Sequence, residues 1–417
     1  MGAIGVALLT KNHAPSRTKF IGFEKLSGFT YEQEDNKICP FCANHCNRTV
    51  VKFPNNTAYI TGNRCPRGES LEDKAPEIKN VPDLFLMREA LLIKKYKYSE
   101  VSKKKNLTVG LPRCLEFWDS MPFWTTFWRA LGYEVVISDP STRPMFEEGL
   151  PFVASDTVCF PAKLVHGHIQ NLANKKVDII FMPMIMNMPP KDTEKKSSYV
   201  CAVVKGYPLV IYNQENPAAR WNLRYENPMF HWYSEKDRFI QLSEYMENKF
   251  SIPKSESKKA FDQGMEAMKE FRSTLIKTGD SIRAKAKAEG KFAVVLAGRP
   301  YHTDPLVSHD LSRVFTKEGI PVLTVDSLSG LEKADLRYTR AEVTNNFHTR
   351  MLAGALLSAQ SPELEFAQIV SFGCGHDAIL SDEIIRITNE VSSKAPLILK
   401  MDEGGASNSL NIRVKSF

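Results

Sequence analysis

The 417-residue chain has no apolar run of the roughly twenty residues that a membrane-spanning helix needs. Gly2–Thr10 is apolar but short, and no basic segment precedes it, so it does not read as a secretion signal. A strong charge of one sign is missing too: 55 Lys and Arg face 48 Asp and Glu, a net charge of +7. Lys103–Lys105 is the only compact basic run and reads as a solvated linker rather than a nucleic-acid patch. No Gly-rich phosphate cradle of specific form occurs, so no loop motif announces recognition of a nucleotide or of coenzyme A. These absences point away from membrane and nucleic-acid partners and toward a cytoplasmic protein, where disulfides are not expected. The eight cysteines then read as metal ligands or buried thiols.

Four of them cluster within 27 residues: Cys39-x2-Cys42-x3-Cys46, then Cys65 after eighteen more positions. Asn47–Tyr59 between them reads as two short strands turning at Pro54-Asn55-Asn56, a hairpin that would bring Cys65 back to the first three. Four converging thiolates predict a metal site, and both zinc and a [4Fe–4S] cluster accept such a set. The x2/x3 triad, followed by Arg67-Gly68, resembles the N-terminal cluster motif of molybdopterin oxidoreductases, which favours the [4Fe–4S] cluster over zinc. No pterin-binding pattern accompanies it.

The other informative stretch is Ser155–His168, S-D-T-V-C-F-P-A-K-L-V-H-G-H. Pro161 suits a first helical turn, which places Cys159 at a helix N-terminus, where free amides and the dipole favour a thiolate. His166 and His168 are two apart, so on a helix at most one faces a site.

From Leu107 onward short apolar strands alternate with helices, which predicts a parallel sheet covered on both faces. Strands are expected at Leu107–Leu111, Glu134–Ile137 and Val177–Met182, and helices at Phe123–Leu131 and Ala162–Ala173. Val200–Tyr212 reads as a strand beginning at Cys201. Asn213–Gly290 is rich in charge and helix formers and reads as a mostly helical insertion joining two lobes. The rhythm then repeats: strands at Ala293–Ala297, Val322–Val325, Ala367–Ser371 and Pro396–Lys400, helices at Leu306–Lys317, Val343–Ser358 and Ser381–Val391. The expected fold is therefore α/β: two Rossmann-like parallel-sheet lobes, a helical insertion and a small four-cysteine metal-binding module. The corresponding segments are 1–34, 35–105, 106–215, 216–290 and 291–417. Ligands of such sheets collect outside the strands' carboxyl ends. That rule would gather Cys159, Cys201 and Cys374, with Cys114 a weaker candidate, between the lobes.

Four stretches carry a resemblance: S-D-T-V-C-F-P-A-K-L-V-H-G-H, V-L-A-G-R-P-Y-H-T-D-P, S-F-G-C-G-H-D-A, and L-K-M-D-E with N-I-R-V-K-S. Through them the chain resembles the activase-related proteins of the 2-hydroxyacyl-CoA dehydratase group, over nearly its whole length. The resemblance implies that G-A-I-G-V-A-L-L is the tail of an ATPase module of the actin/hexokinase type. It implies a second [4Fe–4S] cluster, held by three cysteines with one iron left open, and Cys159, Cys201 and Cys374 are the matching positions. Met184 stands near where relatives often carry another cysteine. The implied partners are an ATP-dependent activase and an acyl-CoA substrate. Lys163, His166, His168, Arg299, His302 and His376 are candidates to surround a metal-bound carbonyl. Three functions stay open: a component accepting or passing low-potential electrons, an acyl-CoA dehydratase-like lyase, or a non-catalytic zinc-stabilised interaction protein.

Overall fold

A computed structural model of the chain describes residues 2–12, 21–41, 44–63, 66–70, 81–189, 196–340, 343–371, 373–404 and 407–417. The architecture is mixed α/β. Strands β1 (Glu32–Ile38), β2 (Asn47–Lys52) and β3 (Ala58–Thr61) form an antiparallel sheet in that order. The expected hairpin is β2–β3. β1 was not expected, because a polar strand exposed on both faces carries no alternating pattern. It spans the boundary expected at 34/35.

The first parallel sheet joins β4 (Thr108–Leu111), β5 (Glu134–Ile137) and β6 (Ile179–Phe181). Past Pro183 the chain continues as β7 (Met184–Asn187). β8 (Arg224–Glu226) completes the sheet, and β9 (Met229–His231) pairs with β7. The second parallel sheet holds β10 (Ala293–Ala297), β11 (Val322–Leu323), β12 (Leu364–Ser371) and β13 (Leu397–Met401). The orders are β5-β4-β6-β8 and β11-β10-β12-β13. In both, the first strand in sequence lies between the second and third, so the repeated rhythm of the sequence has a counterpart in repeated topology. The switch point of such a sheet lies between its first and third strands.

One expectation is corrected. Val200–Tyr212 is not a strand: Ala202–Glu215 is a helix, and Cys201 is its N-cap. The run V-V-K-G-Y-P-L-V-I-Y is rich in β-branched and aromatic residues, which suggests a strand. Its buried positions are instead Val204, Tyr207, Pro208, Ile211 and Glu215, the three-to-four spacing of one helix face. The segment 216–290 also supplies β8 and β9, three-residue strands too short to show alternation. Its remainder is helical as expected, chiefly Glu235–Phe250 and the 35-residue helix Lys254–Ala288.

Helix ends also move. The aromatic helix runs Phe117–Ala130 and burials of Trp124, Phe127 and Trp128 anchor it under the first sheet's core. The last long helix starts at Gly375 rather than Ser381. The lobes are locked together by a two-pronged Arg350–Asp119 pair at 2.7 and 2.9 Å, and Arg88, on the helix Leu84–Ile93 that precedes the first lobe, ties to Asp326 of the second at 2.8 Å. Backbone bonds between Tyr199 and both Thr344 and Asn346 add to this. Among the described residues no helix is long and apolar enough to cross a membrane.

Candidate functional site

Cys159, Cys201 and Cys374 share one local geometry. Each is the N-cap of a helix: Phe160–Asn174, Ala202–Glu215 and Gly375–Ser392. Their carbonyls accept the first helical amides, from Ala162, Lys205 and Asp377, at 2.9, 3.0 and 3.1 Å. No sulfur is used in capping, so all three remain available to a ligand. Three helix N-termini therefore present sulfur together with the positive end of a dipole, a setting suited to an anionic ligand shell. Cys159 feels the charges of Arg299, Cys201 and Cys374, and buried Tyr301 feels those of Cys201 and Cys159, so the three sulfurs share a neighbourhood. Two of them come from the first lobe and one from the second.

The second sheet's switch point supplies the rest. Arg299 follows β10 and Cys374 follows β12, the first and third strands. Arg299 is 3% exposed. Its Nη2 donates to Cys374 Sγ at 3.2 Å and to Asp377 Oδ1 at 2.5 Å, its Nη1 to Asp377 Oδ2 at 3.2 Å, and its Nε to His348 Nε2 at 3.2 Å. Asp377 is held in turn by the Ser371 amide at 2.9 Å. Burial opposes the guanidinium charge, but facing Tyr301, Asp377 and Cys374 outweigh it and hold Arg299 protonated beyond its ordinary range. Arg299 thus holds a fixed positive charge against the Cys374 sulfur.

The histidines around it are neutral. Burial first, then Arg299 and His348, drives His302 well below its ordinary value. Its Nδ1 accepts from the Arg299 amide at 3.1 Å, so the proton sits on Nε2, which meets Ser371 Oγ at 3.0 Å. Burial, Arg299 and His376 push His348 down to about 3. Neither Asp377 nor His348 stood out in the sequence. Asp377 has a legible signal in retrospect, an acid in the first turn of the helix that Cys374 caps.

Cys159 departs from expectation in one respect. Burial pushes its thiol up from the ordinary value and the other two cysteines add to this, against the Ala162 amide and Arg299. The dipole by itself does not outweigh burial; a bound cation would.

A cavity of about 620 Å³ opens beside Cys159, walled by Lys163, His302, Ser371, Gly373 and Glu403. Lys163 Nζ donates to Glu403 Oε2 at 2.9 Å. His166 and His168 stand apart from it, both fully buried. His166 lies between Glu215 and Tyr207, and His168 between Ser138 at 2.9 Å and Ser141 at 3.0 Å. Both are core residues, one on each face as their spacing required. His376 is exposed, its ring 5.5 Å from that of His348. Cys114 is 3% exposed within the core, and burial holds its thiol well above its ordinary value. Met184 is buried on β7.

Of the N-terminal quartet, Cys42 and Cys65 lie outside the described residues. Cys39 and Cys46 are joined by a backbone bond from the Cys39 amide to the Cys46 carbonyl at 2.9 Å. Both face a small pocket that Arg143, His309 and Glu403 also line, so Glu403 borders this pocket and the cavity beside Cys159 alike. Among the described residues no three His, Cys, Asp or Glu side chains stand close enough together to hold one metal ion.

No curated protein matches the chain. Among solved structures, a mutant, metal-free periplasmic metal binding protein from Candidatus Liberibacter asiaticus aligns at 12% identity. The alignment covers 74% of this chain and 96% of that one, at a TM-score of 0.20, too low to carry an argument. Residues 108–328 match the model of the CoA enzyme activase uncharacterised domain (DUF2229), a span that includes the first parallel sheet, Cys159, Cys201 and Arg299. With more than half its length in that match, the chain belongs to the family of proteins carrying the CoA enzyme activase uncharacterised domain.

Proposed function

We propose that the chain is an iron–sulfur protein that accepts or passes low-potential electrons beside an ATP-dependent activase acting on a CoA-linked enzyme. Family membership supports the link to CoA enzyme activation. The matched strand orders support two Rossmann-like lobes with the site at their meeting edge. The observation that supports the proposal is that three cysteines, each heading a helix without using its sulfur as a cap, share one electrostatic neighbourhood at a sheet switch point, where buried Arg299 donates to Cys374 Sγ.

The donor set fits a [4Fe–4S] cluster better than one ion. A cluster is wider than a single cation, so its three sulfurs need not crowd within one ion's reach. When bound, such a cluster would store and release one electron at low potential. Cys159, Cys201 and Cys374 would hold it. Arg299 would favour the reduced, more negative state by hydrogen bonding at Cys374 Sγ, and Asp377 and His348 would keep its fork aimed. Lys163 and neutral His302 would face whatever shares the adjoining cavity.

Anaerobic purification followed by metal analysis and electron paramagnetic resonance tests this. About four irons lost in Cys159→Ser but retained in Cys39→Ser would support a cluster between the lobes. A colourless protein carrying only zinc would overturn the redox reading and leave a zinc-stabilised interaction protein. Turnover of an acyl-CoA in the presence of activase and reductant would instead favour a dehydratase-like enzyme.

A further inference from the structure

A second cavity, of about 550 Å³, lies away from the cysteines and shares no wall residue with the one beside Cys159. The long helix Lys254–Ala288 forms one side through Met265, Met268, Arg272 and Ile276. The first lobe contributes Glu116, Met188 and Trp232; the second contributes Asp326, Asn346 and Arg350.

Its charges are unevenly matched. Arg350 is satisfied by both oxygens of Asp119. Arg238 is not satisfied in this way. Its guanidinium lies 4.1 Å from the Trp232 ring and 4.5 Å from that of Phe123, and Nη1 reaches only the Met265 sulfur, at 3.6 Å. Its Nε is buried without a hydrogen-bond partner, as are Trp232 Nε1 and Glu116 Oε1 on the same wall. Arg272 stands exposed on the facing helix. Among the described residues no carboxylate lies within ion-pair distance of Arg238 or Arg272. Arg238 is half-buried with its Nε unmet, and a guanidinium fork of this kind matches a carboxylate or phosphate. Methionine, tryptophan and leucine give much of the remaining wall an adaptable apolar surface, although the carboxylates Asp119, Glu235, Asp326 and Glu332 also line it. The size falls within the usual range of small-molecule pockets, roughly 300–1,000 Å³.

We propose that this cavity binds a small organic anion, its carboxylate or phosphate head on Arg238 and Arg272 and its apolar body against Met188, Met265, Met268 and Trp232. The site does not depend on iron. Of the carboxyls on the wall, Glu116 is raised by burial to about 7 and can stay protonated, Asp119 and Asp326 are paired with Arg350 and Arg88, and Glu235 and Glu332 are exposed to solvent, which screens them from the head.

Calorimetric titration of the full chain at fixed ionic strength tests the site, with straight-chain carboxylates from acetate to octanoate and alkyl phosphates of the same lengths. Saturable binding that tightens with chain length is expected. It should weaken at least tenfold in Arg238→Gln and in Arg272→Gln. Preference for either head supports the site and names its ligand class. Absence of saturation in both series would overturn the proposal. So would equal binding of octanol, or unchanged affinity in Arg272→Gln, which decides alone if Arg238→Gln does not give the circular dichroism of the folded protein.

Discussion

Arg299 shows how much of the site rests on single buried charges. It was recognisable in sequence as a polar residue in a strand-end loop. What holds it, Asp377 and His348, lies 78 and 49 positions away; Asp377 is marked only as an acid in a helix's first turn, and His348 has no local mark. Asp377 is fully buried, so removing the guanidinium strands its carboxylate. Arg299→Ala should lose about 3–5 kcal/mol in urea denaturation. Arg299→Lys should lose less, because a charge remains while the fork to Asp377 and Cys374 does not. The buried histidines add a pH dependence. His168 is pushed down to about 3 by burial and by Arg113, and His348 and His302 are also depressed. Each binds a proton when unfolded, near pH 6.5, but not when folded until far lower pH. Their contribution is therefore complete above about pH 6.5 and falls as pH drops toward 3, by roughly 1.4 kcal/mol per pH unit for each histidine. Denaturation between pH 7 and 5 should show this slope, and His168→Gln should make it shallower, whatever its effect on stability at pH 7.

Most parallel strands and the long helices were legible as elements because apolar runs between Gly, Pro and Asp punctuation identify them. The helix after Cys201 was not, because tertiary packing of one face overrode β-rich composition. That misreading, together with a last long helix expected from Ser381 rather than Gly375, hid the common feature of the site, three cysteines each heading a helix, which local sequence disclosed only at Cys159. The 35-residue helix makes a sharper statement about packing. At Gly264 an added Cβ would lie 2.7 Å from the Phe123 ring, and at Gly279 it would lie 2.2 Å from the Ser327 carbonyl oxygen. One glycine fits the helix to the first lobe and the other to the second. Backbone cannot yield as a side chain can, so Gly279→Ala should cost about 1–3 kcal/mol net, although alanine is the better helix former by about 1 kcal/mol. Gly206, within Ala202–Glu215, has nothing within 4 Å of an added Cβ. Gly206→Ala should therefore stabilise by roughly 0.5–1 kcal/mol. Thermal unfolding of the two variants should move in opposite directions.

At the scale of the whole molecule the sulfurs belong to different lobes, Cys159 and Cys201 to one and Cys374 to the other. Any group that all three hold is a crosslink between lobes as well as a cofactor. Binding to the folded state alone adds stability in proportion to the logarithm of ligand saturation. Anaerobic reconstitution with iron and sulfide should therefore raise Tm, and chelation should reverse the gain. Cys374→Ser should abolish most of the gain by leaving the second lobe unattached. Cys114→Ser, a change within the core away from any ligand set, should leave the gain intact while lowering the starting Tm. Hydrogen exchange offers the finer reading. Protection on reconstitution should rise together at the first turns of the helices beginning at Phe160, Ala202 and Gly375, because one group would pin all three. Protection confined to the hairpin β2–β3 would place the metal at the N-terminal cysteines and leave the lobes joined by protein contacts alone, such as the Arg350–Asp119 pair and the Tyr199 backbone bonds.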